Sequence, residues 1–197
     1  MTALGGADSR RPMPDPSSPV VANPPWAELV QLLPVVALAF PVVTAGKVDL
    51  ASMAQAFPAA GGLAVAVTLG VLATGKRLNP ILVGTDLWLV LGAVGFGLGL
   101  GPIAELWAAW QGFALFALVV PTLAVAMATP PGAIGADGPP DWVRSRSLGV
   151  LGLSVLVLGW AWVFRHDVRL GGGLPFIVLN VTRRVLVAHG ARTVGKP

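Results

Sequence analysis

Two long stretches of this chain, residues 51–75 and 106–136, contain no charged side chain at all, and shorter uncharged stretches run over 29–46, 87–104, 147–164 and 170–182. Crossing the hydrocarbon core of a bilayer takes about 20 mostly apolar residues in a helix. In lipid every backbone polar group must be satisfied within the segment, which leaves helices or closed barrels as the only spanning structures. Repeated uncharged runs of helical length therefore predict an all-α polytopic transmembrane bundle.

Composition agrees. Only 11% of the 197 residues are charged and 55% are hydrophobic, against about 25% charged in a soluble domain. The net charge of +4 does not point to nucleic acid, because the few basic residues flank apolar runs, where they orient a membrane protein. With no cysteine, disulfides, thiolate metal sites and thiol catalysis are excluded.

The apolar runs predict six spans, over residues 26–46, 56–75, 80–100, 105–130, 147–164 and 170–188. The last is the least regular, since Arg183 and Arg184 interrupt it. They must snorkel toward headgroups for it to span, and a re-entrant or interfacial helix after a five-span core is the alternative. With the N-terminus inside, Arg10, Arg11, Lys76, Arg77, Arg144, Arg146, Arg183, Arg184, Arg192 and Lys196 fall inside, and Lys47, Arg165 and Arg169 outside. That bias favours both termini inside. Trp26, Trp107, Trp110, Trp160 and Trp162 fall near span ends as interfacial anchors. Trp142 is expected in the loop before the fifth span, and Trp88 reads as a packing residue.

Residues 1–25, with six prolines from Pro12 to Pro25, are expected to be a disordered cytoplasmic tail. Residues 26–188 form the expected bundle and 189–197 a basic cytoplasmic tail. Pro34, Pro41 and Pro121 lie at membrane depth, and each is expected to kink its helix. Rows of small residues, Gly62–Ala66–Gly70, Gly95–Gly99, Gly97–Gly101 and Ala104–Ala108–Gly112, are expected where helices of the bundle touch.

Ionisable residues at membrane depth are costly and face a partner or a cavity. Asp86 is the foremost, about 9 Å into the third span at 1.5 Å per residue. Arg183 and Arg184 lie at similar depth in the sixth. A pair between Asp86 and one of these arginines is expected, with Asn79, Thr85, Asn180 and Thr182 as polar neighbours. Such a cluster serves either as an ion or proton site or as a salt bridge docking the third span on the sixth. Glu105 reads as the end of an apolar run. Glu28, Gln31 and Gln111 are suited to helix–helix hydrogen bonds worth about 1 kcal/mol. His166 and His189 are not spaced as metal ligands, and no metal, cofactor or catalytic residues are assigned. Nucleophile-elbow, phosphate-loop and zinc-protease motifs are absent from the sequence, which leaves an enzyme unsupported.

Arg77-Leu78-Asn79-Pro80 before the third span and Arg169-Leu170 with Pro175 before the sixth also raise an inverted three-plus-three repeat. Lys76-Arg77-Leu78-Asn79-Pro80, an apolar span, Glu105 and a further span resemble bacterial inner-membrane proteins of the intracellular septation protein A type. The resemblance covers residues 29–127 and implies the bacterial inner membrane as the location and a cell-envelope or division-associated role, with no functional residues carried over. The expected function is a non-enzymatic accessory or scaffold subunit of a membrane or cell-envelope complex, partnered by lipid and by another membrane protein or a second copy. The alternative is a small transporter or channel using Asp86.

Overall fold

The computed structural model describes residues 19–44 and 50–193, with side chains given except at 41–44 and 50. Six α-helices follow in order: α1 (Pro25–Thr44), α2 (Leu50–Ala73), α3 (Pro80–Gly97), α4 (Gly101–Ala126), α5 (Pro140–Val163) and α6 (Leu174–Thr193). A π-helical turn, Arg169–Gly173, leads directly into α6. Five segments are long and apolar enough to cross a membrane: α2, α3, α4, α5, and the π turn with α6 as a single run, Arg169–Thr193. In α1 the described apolar stretch is Pro25–Phe40. The segment over which the sequence hesitated is thus a full-length helix. The expected disorder of residues 1–18 and the side chains of Pro41 and Lys47 lie outside the described residues.

Local chemistry sets the helix ends. The Asn79 side chain accepts from the Ile81 N–H at 3.1 Å and Pro80 takes the first helical position, where its missing N–H costs nothing. Gly75 and Gly99 adopt φ of +66° and +64°. Each closes the preceding helix by paired reverse bonds, Lys76 N–H to Val71 O with Gly75 N–H to Leu72 O, and Leu100 N–H to Gly95 O with Gly99 N–H to Phe96 O. That geometry needs a left-handed residue, which glycine adopts without a Cβ penalty. Gly99 is therefore a turn residue, not part of a packing row.

Helices α1 to α4 pack each on the next, α5 packs on α4 and α6 on α5, with the π turn touching α4, α5 and α6. One apolar cluster joins Phe57, Ala60, Ala64 and Leu89 of α2 and α3. A larger one joins Ile81, Phe116, Val119 and Leu123 to Ile134, Val150 and Leu179. Outward faces are equally apolar, with Leu69, Val125, Leu156 and Val185 each at least 60% exposed. Such a surface is a liability in water but matches a lipid solvent. The fold is that of an all-helical integral membrane protein.

Several boundaries differ from the sequence reading. Residues 19–24 are part of the fold. Val20 is buried, Val21 and Asp137 exchange backbone hydrogen bonds at 3.0 Å, and the Asn23 side chain accepts from the Arg77 N–H. Helix α5 begins at Pro140 and α6 runs to Thr193, past the expected end at residue 188. Trp142 thus sits in the first turn of α5, not in a loop, with its ring over the Cα of Gly190. The sharp break in α4 is at Gln111, with φ 36° and ψ −114°, and not at Pro121. Helix α1 continues through Pro34.

The small-residue rows divide. Gly95 packs on Ile103, and Gly112 presses on the backbone of Gly171 and Gly172. Gly62, Ala66 and Gly70 instead face outward, with open space at both glycines.

Candidate functional site: a polar cluster at the basic end

The start of α1, the α2–α3 turn, the α4–α5 loop and the middle of α6 meet at one end of the bundle, and Arg183 is the centre of that meeting. It is 1% exposed. Its Nη1 donates to Glu28 Oε1 at 2.8 Å and its Nε donates to the Ile134 carbonyl at 2.8 Å. Arg184 Nε donates to the other Glu28 oxygen at 2.9 Å. One carboxylate on α1 thus bridges two arginines on α6. Arginine's planar fork suits this shared geometry. Gly135 in the loop lies against Pro80 and the Arg183 guanidinium, where a Cβ would come 2.7 Å from Pro80 Cδ.

A second layer surrounds this bridge. Gln31, one turn beyond Glu28, accepts from the Asn79 N–H at 2.8 Å and donates to the Ala27 carbonyl at 3.1 Å. Arg77 pairs with Asp137. Residues from every stretch at this end are tied by polar contacts, and the buried donors and acceptors of Arg183, Gln31 and Asn79 are used. A polar network centred on a buried arginine whose bonds are made favours one arrangement of the parts it joins.

The expected pair between Asp86 and the arginines is not formed. Asp86 accepts from the Thr68 hydroxyl at 2.8 Å, across the α2–α3 interface. The reason is the order of helices around the bundle: α3 packs between α2 and α4, while the arginines reach α1. Of the residues grouped in the sequence, Asn79, Arg183 and Arg184 come together, and Asp86 and Asn180 stand apart. The Asn180 side chain donates to Phe176 O of its own helix at 3.0 Å, and Thr85 does the same to Ile81 O at 2.9 Å. Glu28 was read from sequence only as a hydrogen-bonding residue. The signal for more was an acid in the first turn of a span, at the same end as two arginines that no nearby acid covers. Glu105 is exposed at the start of α4. Among the described residues no group of three or more His, Cys, Asp or Glu side chains converges on a metal position.

The opposite half of the bundle is built differently. There the break at Gln111 and the π turn both line a cavity of about 260 Å³. Gln111 Oε1 and Trp88 Nε1 are buried without hydrogen-bond partners. Positive φ in a residue with a Cβ costs about 1–3 kcal/mol and persists only where its surroundings impose it. Here Gly112 is held against the Gly171–Gly172 backbone. No family model, curated protein or solved structure matches this chain, and geometry alone carries the functional reading.

Proposed function

We propose that this protein is a non-enzymatic accessory or scaffold subunit in the membrane, threaded six times with both termini on the basic, cytoplasmic side. The observation that carries the reading is the contrast between glycines inside and outside the bundle. Inside, Gly61, Gly84 and Gly92 are filled by Ala93, Val119 and Phe57. Outside, Gly62 and Gly70 on α2 and Gly149, Gly152 and Gly159 on α5 meet nothing within 4 Å. With Ala66 between them, Gly62 and Gly70 keep the four-residue spacing of small residues that lets a second helix approach closely in lipid. The bacterial inner membrane fits the distribution of basic residues, and a cell-envelope complex fits the resemblance to septation protein A-type proteins.

The test is mass spectrometry of what co-purifies from native membranes in a mild detergent. A stoichiometric membrane partner or a second copy is expected, and it is lost in the double variant Gly62→Leu, Gly70→Leu. Recovery of a lone monomer from native membranes sinks the proposal.

One observation favours a second reading, a small transporter using Asp86. Its Oδ1 is buried without a hydrogen-bond partner, leaving capacity to take an ion or proton. Flux into proteoliposomes that Asp86→Asn abolishes would establish it. Equal leak from wild type and variant would remove it.

A further inference from the structure

The cavity opposite the basic end draws its wall from α1, α2, α3, α4, the π turn and α6, including Leu38, Phe57, Trp88, Leu115 and Phe176. Nearly all the surface it offers is apolar. The unpartnered atoms of Gln111 and Trp88 are withdrawn behind that surface. Apolar cavities do not hold water, which needs several polar partners, so hydrocarbon is the guest that this interior accepts. Two departures from regular helix border it: the break in α4 at Gln111, which has positive φ, and a π turn that contains three consecutive glycines. Departures of this kind cluster at functional sites.

The rim supplies the second half of the argument. Arg169, exposed and first in the last span-length run, lines the cavity. Its position at the end of that run places it at headgroup level. Asp167, two residues away, turns its Oδ1 to the backbone, accepting from the N–H groups of Arg169 and Leu170 at 2.9 and 3.1 Å. Arg165 is drawn off over the Trp162 ring, 4.6 Å from its centroid. No salt bridge holds the Arg169 guanidinium among the described residues.

We infer that this cavity binds one anionic phospholipid, with an acyl chain inside and the phosphate on Arg169. The occupant is lipid and not a soluble anion, because the volume on offer is apolar and the charge is at its edge.

Native mass spectrometry of the full chain tests this, with equimolar dioleoyl phosphatidylglycerol and dioleoyl phosphatidylcholine in mild detergent. Wild type is expected to retain one lipid, with the anionic lipid preferred about fivefold, the worth of one basic side chain at a membrane surface. Arg169→Gln is expected to keep a lipid and lose the preference. Gly173→Leu fills the cavity. Only Val168 O comes near its Cβ, at 3.8 Å, so the change is tolerated and bound lipid should fall at least tenfold. Ala39→Leu on the α1 wall is the second filler, and circular dichroism confirms that each variant is folded. Equal retention of the two lipids by wild type, or unchanged lipid in both folded filler variants, overturns the inference.

Discussion

The two halves of this bundle treat polar groups in opposite ways. At the basic end a glutamate, two arginines, a glutamine and an asparagine are satisfied by one another and by loop carbonyls. In the other half a glutamine oxygen and an indole nitrogen are buried without partners, a helix is broken, and space is left between helices. A buried network that is complete rigidifies what it joins. Unpartnered groups and strain cost stability, and they are retained where something other than stability is served. The comparison assigns structural work to the charged end and leaves the apolar half as the part able to receive a ligand.

The strongest way to break the comparison is to remove the shared carboxylate. Glu28→Ala leaves Arg183 buried and unpaired, at a cost of about 3–5 kcal/mol. The expected outcome is a large loss of folded yield and of thermal stability in detergent. Adding Arg183→Met should recover much of it, because removing both partners of a buried pair is far cheaper than removing one. If Glu28→Ala melts like wild type, the cluster does not hold the bundle together.

Next in size is Gly112→Val. Its Cβ would run into the carbonyl of Gly171, and overpacking costs about 1–3 kcal/mol. Gly149→Val meets open space and should leave stability nearly unchanged. A matching loss from both substitutions, read by thermal unfolding, would deny that α4 and the π turn touch as described.

How far the sequence could see this arrangement depends on the residue. Helix positions were legible: six spans were expected, and five of those runs are helices long and apolar enough to cross a membrane. Azimuth was not. Glu28 and Arg183 are 155 positions apart, and hydropathy reports how deep a side chain lies but not which neighbour its helix has. Asp86 was the expected counterion and Glu28 only a hydrogen-bonding residue, yet helix order gives the arginines Glu28. The same blindness hid the outward face of Gly62, Ala66 and Gly70, since a small-residue row reads alike whether a partner is internal or external. Pro121 drew attention as a breaker, yet helices in lipid tolerate proline when neighbours re-satisfy the freed carbonyl. The actual break at Gln111 adjoins a residue in contact with a distant turn, a coincidence that no local rule encodes.

The smallest expected effect bears most directly on the apolar half. Gln111→Gly removes both the Cβ at φ 36° and the unpartnered side-chain oxygen. If the break is imposed by the Gly112 contact, glycine should adopt it without strain and stabilise the protein by about 1 kcal/mol. A helix that regularises instead loses stability with this change, because glycine in a helix interior costs about 0.5–1 kcal/mol relative to alanine. The sign of the shift in melting temperature therefore separates an imposed break from an incidental one. A gain would mean that natural selection has kept a strained glutamine beside an apolar cavity, a choice that packing alone does not favour.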